Sequence, residues 1–341
     1  MNLDQIDKLI SIIQNSELTT EQQVNKLIRE LENLNFIPAI SPCVSIFESI
    51  EMEELKMKEG QLNNDLIVLD KPIFQNGLDV FHKKELLIFA GRPAMGKTQF
   101  LVHLANNIAN NHSVLYHTLD VSISNLTTRF LANETGVSKN SFFNNLQDHS
   151  VNETLVGLKE IFKNKKLHLV DSSVVSLKQL KEYYSELVHN LGIEVIIIDY
   201  LQLLSDKNYR IREQEIASVM RNLKFIAKEL NVCILVASQL SRSVETRGGD
   251  KRPILSDLRE SGAIEEFSDK VLFLYRPEYY QLFMDENGES TVNQVEIIVA
   301  KNNNAETQVT NLERDKEFTR FTTKNNTNNT NLSWDYQVDG L

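Results

Sequence analysis

Cysteine is scarce: the 341 residues hold two, Cys43 and Cys233, far apart and without CxxC spacing. That excludes a disulfide scaffold and a thiolate metal centre, and reads as reduced thiols in a cytoplasmic protein. The first residues, Met-Asn-Leu-Asp-Gln-Ile-Asp, are acidic and contain no apolar stretch of signal-peptide type. No apolar run approaches the ~20 residues that a membrane span needs, so no membrane role is expected. Positive charge is short as well. With 36 Lys and Arg against 47 Asp and Glu, the formal net charge is −11. This argues against a general basic coat for nucleic acid while leaving room for a local basic channel. The length favours one large α/β domain with a smaller appendage, and a hydrophobic fraction of 41% is enough for a substantial core.

What is present centres on Leu86-Leu-Ile-Phe-Ala-Gly-Arg-Pro-Ala-Met-Gly-Lys-Thr98. Five apolar residues read as a buried strand, Gly91-x-x-x-x-Gly96-Lys97-Thr98 follows, and the amphipathic run Gln99 to Asn110 reads as a helix. A strand before and a helix after are the context in which this spacing is a P-loop. Gly91 and Gly96 allow the tight turn that aims backbone N–H groups and the helix N-terminus at phosphates. Lys97 is placed to reach the β- and γ-phosphates, and the Thr98 hydroxyl to bind Mg²⁺. Gly91, Arg92, Pro93, Ala94, Met95, Gly96, Lys97, Thr98 and Gln99 are the expected ATP-binding set.

Apolar positions at helical spacing, Leu3, Ile6, Leu9, Ile10 and Ile13, then Val24, Leu27, Ile28 and Leu31, predict a helical hairpin over residues 1–36. Residues 37–65 mix Pro, Ser and acidic residues and read as a linker. From residue 66, strands and helices alternate. Strands are expected at Val114 to Leu119, Leu167 to Val170, Val195 to Leu201 and Val232 to Ala237, and helices at Ser124 to Glu134, Ser176 to Leu191 and Arg212 to Leu230. Such repeats imply a mostly parallel sheet with ligands at the carboxyl ends of its strands. The P-loop, Asp120, Asp199 and Gln239 all fall at such ends. Short antiparallel strands are expected at Val295 to Lys301, Gln308 to Leu312 and Phe318 to Thr322, and residues 323–341, rich in Asn and Thr, read as a disordered tail.

Asp199 follows Ile196-Ile-Ile198, the arrangement in which an apolar strand pushes one carboxylate toward the Mg²⁺ shell. Beyond Gln239, the loop Leu240 to Gly262 sets Arg242, Arg247, Lys251, Arg252 and Arg259 among Glu245, Asp250, Asp257 and Glu260. Its charge fits a solvated surface and a phosphate-binding loop equally well.

Taken together, Gly-Arg-Pro-Ala-Met-Gly-Lys-Thr98, Ile198-Asp-Tyr-Leu-Gln-Leu203, Arg212-Glu-Gln-Glu-Ile216, Ser238-Gln-Leu-Ser-Arg-Ser-Val-Glu245, Asp250-Lys-Arg-Pro-Ile-Leu-Ser-Asp-Leu-Arg-Glu-Ser-Gly-Ala-Ile-Glu265 and Phe273-Leu-Tyr-Arg-Pro-Glu-Tyr-Tyr280 resemble the motor domain of the DnaB replicative helicases. The resemblance covers residues 66–322. It implies a RecA-like P-loop domain, preceded here by a small helical segment, in a hexameric ring that threads single-stranded DNA and binds ATP at each subunit boundary. By position, Lys97 and Thr98 hold phosphates and Mg²⁺, Asp120 orients the attacking water, Asp199 completes the metal site and Gln239 senses the γ-phosphate. Lys301 faces a nucleotide, while Arg259, Glu260 and Gly262, with Arg242 nearby, contact the DNA backbone.

Three departures accompany the resemblance. The family's water-orienting Glu is Asp120 in Thr118-Leu-Asp-Val-Ser122, one methylene shorter. Its Ala-Lys-x-Arg-Asn-Gly is Ala300-Lys-Asn-Asn-Asn-Ala305, leaving Asn303 in place of an arginine finger. Residues 1–65 are shorter than the family's collar and linker, so a replacement module is expected there. Three functions follow as expectations: a DNA helicase or translocase, of a phage or mobile element for instance; a weakened paralogue that uses ATP to control assembly or to engage another helicase or a replication partner protein; and a RecA-like DNA-binding or recombination factor without unwinding.

Overall fold

The structure is a computed structural model that describes residues 45–46, 64–74, 79–138, 149–172, 176–206, 208–249, 251–258 and 261–323. The expected hairpin over 1–36, nearly all of the 37–65 linker and the tail beyond Thr323 lie outside them. Contacts divide the chain into Met1–Leu62 and Asn63–Leu341, and the elements that follow all belong to the second unit.

Two short strands, β1 (Leu66–Val68) and β2 (Val80–His82), pair antiparallel. The main sheet is built from β3 (Leu86–Gly91), β4 (Val114–Thr118), β5 (Leu167–Val170), β6 (Val195–Asp199), β7 (Cys233–Gln239), β8 (Lys270–Tyr275), β9 (Gln294–Asn302), β10 (Gln308–Arg314) and β11 (Phe321–Thr323). Their order is β11-β10-β9-β8-β3-β7-β6-β4-β5. From β8 to β5 every pairing is parallel, and β9, β10 and β11 continue antiparallel. The helices are α1 (Lys97–Ile108), α2 (Ile123–Thr135), α3 (His149–Lys163), α4 (Leu177–Leu191), α5 (Arg212–Glu229), α6 (Ser243–Thr246) and α7 (Ser261–Phe267). The fold is therefore the mostly parallel α/β sheet expected of a RecA-like domain.

Central strands read as unbroken apolar runs because both faces are covered. Leu87, Phe89, Ile197 and Leu235 face a core with Phe100, Leu101 and Leu104 of α1 and Leu126 and Phe130 of α2. Leu86, Ile88, Ile196, Ile198 and Val236 face the other core, with Leu180 and Tyr184 of α4 and Ile216, Val219 and Leu223 of α5. Ser122 caps α2 by accepting the Asn125 N–H, and Gly136 ends it at φ 76°. Ser176 and Gly192 do the same for α4. Each Ser satisfies an otherwise orphaned helix N–H, and each Gly supplies the left-handed turn that closes the last one.

The structure shifts some boundaries. Strand β6 stops at Asp199, and Leu201–Leu203 form a 3-10 turn instead of extending the strand to Leu201. Phe318 does not begin the last strand. It sits in a turn at φ 56°, and β11 starts at Phe321. Helix α3 is not among the expected elements, although Leu155, Leu158 and Phe162 carry helical spacing. No helix among the described residues is long and apolar enough to cross a membrane.

Candidate nucleotide site

Sheet register gathers the candidates at one edge. Gly91 of β3 lies opposite Gln239 of β7, and Thr118 of β4 opposite Asp199 of β6. Backbone bonds continue this beyond the strands: the Leu240 N–H donates to the Gly91 carbonyl at 3.3 Å, and the Leu119 N–H to the Asp199 carbonyl at 2.8 Å. Four adjacent strand ends thus lie side by side along one edge of the sheet.

The loop that follows β3 has left-handed backbone at Ala94 (φ 61°) and Gly96 (φ 99°). Met95 is buried beneath it and anchors the turn. A Cβ built on Gly96 would collide with the Phe318 ring, so both dihedral and space require glycine there. The Lys97 ammonium donates to the carbonyls of Gly91 (2.9 Å) and Arg92 (3.1 Å). Burial pulls its pKa down to about 8, Asp199 opposes that shift and Arg92 adds to it. These two bonds hold it over the turn.

Asp199 is 4% exposed. One oxygen, Oδ2, accepts the Thr98 hydroxyl at 2.7 Å and the Tyr116 hydroxyl at 3.0 Å. Burial raises its pKa; the two hydroxyls and Lys97 pull it back, and Asp120 adds to the rise. Asp120 is exposed just beyond the end of β4; burial, with the charges of Asp120 and Asp199, raises the Tyr200 phenol. The Thr98–Asp199 pair offers the hard oxygen ligands that Mg²⁺ prefers. Among the described residues no group of three or more His, Cys, Asp or Glu is placed to hold a metal. A cation at this pair would take its remaining ligands from phosphate and water, the usual coordination of Mg²⁺ at nucleotide sites.

Other expected members of the binding set point elsewhere. The Arg92 guanidinium turns away from the cradle, with Nε 2.8 Å and Nη2 2.7 Å from Glu245 Oε1 and Nη1 2.8 Å from the Leu240 carbonyl. Gln99 is buried and donates to the Thr319 carbonyl at 3.1 Å. These two residues, and Met95, can offer only their backbone to a phosphate. Pro93 and Ala94 are exposed at the loop tip.

Two contributors are not among the expected site residues, although Gln202 lies within the Ile198 to Leu203 motif. Gln202 accepts the Gln239 N–H at 3.2 Å and donates to Ser238 Oγ at 3.0 Å, fixing the end of β7. The Phe318 ring lies against Gly96, with the guanidinium carbons of Arg276 and Arg314 at 4.5 and 5.2 Å from its centroid. Arg276 also reaches back toward the P-loop, with Nη1 3.4 Å from the Ala94 carbonyl.

This geometry accompanies a direct match: the DnaB-like helicase C-terminal domain model covers residues 72–323. The chain belongs to that family. Among similar proteins, the replicative DNA helicase DnaB of Rickettsia bellii (strain RML369-C) is 33% identical over 77% of this chain and 56% of its own length. That of Geobacillus stearothermophilus is 35% identical over 71% of this chain and 53% of its own. The chain thus spans little more than half the length of these curated relatives. Of solved structures, an isolated ATPase domain matches with a TM-score of 0.72 at 28% identity, covering 83% of this chain and 99% of that one. A DnaB-like replicative helicase, solved in a study of its interactions with primase, matches with a TM-score of 0.67 at 27% identity, covering 93% of this chain and 76% of that one.

In this DnaB-like domain, Lys301 is not at the P-loop of its own chain. It pairs with Val271 at the start of β8, whereas Phe273 is the residue level with Ala90. Its ammonium donates to the carbonyls of Glu265 (2.6 Å) and Ser268 (2.7 Å), closing the end of α7. Asn303 is exposed at the same end of the sheet. Most described cations of the Leu240 to Gly262 loop are engaged internally. Arg247 grips both oxygens of Asp257 at 3.1 and 2.9 Å, Arg252 both oxygens of Glu296 at 2.8 Å, and Lys251 donates to the Glu245 carbonyl at 2.5 Å. Arg242 and Gly262 are exposed. Arg259 and Glu260 lie outside the described residues.

Proposed function

We propose that the chain is the motor of a DnaB-like DNA helicase, hydrolysing ATP while it moves along single-stranded DNA. The observation that carries this reading is the Thr98–Asp199 contact beside the Lys97 ammonium and the left-handed loop. The loop N–H groups and Lys97 bind the β- and γ-phosphates. Thr98 and Asp199 would hold Mg²⁺, which would supply positive charge to neutralise that developing on the transferred phosphoryl group. Asp120 accepts a hydrogen bond from the attacking water and aims it. Gln239, opposite Gly91, detects the γ-phosphate.

Arg242, Arg259, Glu260 and Gly262 form the DNA-facing loop, giving sequence-independent, salt-sensitive contact with phosphates. A cytoplasmic ring, hexameric by family resemblance, brings Lys301 and Asn303, at the opposite end of the sheet, to a neighbour's nucleotide. Residues 1–65 are available to engage a replication or helicase partner.

A second reading is favoured by Asp120 and Asn303. A shortened carboxylate and an uncharged finger position both reduce hydrolysis, leaving a helicase paralogue that uses ATP binding to control assembly. Steady-state ATP hydrolysis with and without single-stranded DNA, wild type beside Lys97→Ala, separates the two. Hydrolysis that DNA stimulates and Lys97→Ala abolishes supports the motor. Tight ATP binding without DNA-stimulated turnover at any salt concentration refutes it in favour of the second reading.

A further inference from the structure

Arg92 sits in the P-loop, yet all its side-chain bonds run to the segment after β7. Its side chain is 8% exposed, and its guanidinium divides its donors between two places. Nε and Nη2 meet one oxygen of Glu245 on α6, and Nη1 meets the carbonyl of Leu240. Leu240 bridges antiparallel to Leu258, the residue before Arg259, and the Ser241 N–H donates to the Asp257 carbonyl at 2.8 Å. Arg247 ties Asp257 back toward α6, and Lys251 closes on the Glu245 carbonyl. The segment from Leu240 to Leu258 is therefore internally braced, and Arg92 grips it at its base and at α6.

The other side of Arg92 meets the phosphate machinery, because its carbonyl accepts the Lys97 ammonium, as does that of Gly91. The Gly91 carbonyl in turn accepts the Leu240 N–H. When Lys97 turns to a phosphate, it releases two carbonyls of the residues that hold the segment.

We propose that the Arg92–Glu245 pair is a positioning link that converts phosphate occupancy of the P-loop into a change in the Arg242-bearing segment. The link rests on the motor reading above and adds to it a specific transmission path. A planar guanidinium fork suits the role because it can hold a carboxylate and a carbonyl in fixed directions at once. Removing the carboxylate leaves a buried cation half-paired and the segment tethered only at Leu240.

The test uses the full chain with Glu245→Gln, which keeps shape and removes charge, and Glu245→Asp, which keeps charge and shortens reach. Hydrogen exchange across 240–258 is measured with and without AMP-PNP and Mg²⁺, and ATP hydrolysis with and without oligothymidylate. Wild type should show nucleotide-dependent protection of the segment. Glu245→Gln should lose that difference, keep AMP-PNP affinity and basal hydrolysis within about twofold, and lower the DNA-stimulation ratio about tenfold, the loss of about 1.4 kcal/mol of coupling. Glu245→Asp should retain part of both effects. A purely structural pair would lower the melting temperature and leave the stimulation ratio intact, which would overturn the link while the motor reading stands. Absence of DNA stimulation in wild type would remove the motor reading and the link with it.

Discussion

Raising the pH from 7 to 9 should weaken nucleotide binding about tenfold through Lys97 alone. Burial lowers this ammonium to about 8, so it is charged at pH 7 and mostly neutral at pH 9. Phosphate binds the charged form and restores its pKa, which means that binding above pH 8 must take up a proton. Apparent affinity then falls by the factor one plus ten to the power of pH minus pKa, about 1.1 at pH 7 and about 11 at pH 9. The difference is about 1.4 kcal/mol. Fluorescence titration of a labelled ADP with Mg²⁺ across this range measures it, and calorimetry in buffers of different ionisation enthalpy counts the proton. Lys97→Met should bind more weakly and lose the pH slope, while Lys97→Arg should keep its charge and also show none. A flat wild-type profile, or the same slope in Lys97→Met, would refute the assignment of the proton to Lys97.

Gly96→Ala should cost about 1–3 kcal/mol, because it combines a left-handed dihedral with a collision against Phe318. Thermal melting reads that cost, and pairing it with Phe318→Ala should recover the steric part but not the dihedral part. Asp120→Glu together with Asn303→Arg should raise kcat at least tenfold, since ~1 Å of misplacement and a missing finger each cost that much or more. An unchanged kcat in single-turnover and steady-state assays would mean that neither residue limits hydrolysis.

The P-loop, the buried strands and Asp199 were legible because each is written locally: an apolar run, a glycine spacing, a carboxylate at a strand end. The convergence of Gly91, Asp199 and Gln239 followed from parallel topology alone. What escaped was decided by partners distant in sequence. Nothing near Arg92 or Gln99 shows that their side chains turn away, because Glu245 and Thr319 hold them. The cations of the 240–262 loop resemble a phosphate-binding cluster until Asp257 and Glu296 are seen beside Arg247 and Arg252. Phe318 carried no motif, and its place against Gly96 comes from the antiparallel return of β10 and β11.

That return sets an order in time. Gln99 and Thr319, hydrogen-bonded beside the loop, are 220 residues apart. A chain emerging from the ribosome presents its glycine turn early, but the wall that the turn leans on comes late. Nucleotide capture by a nascent chain should therefore begin only after the β10–β11 hairpin has been released, however complete the earlier strands already are.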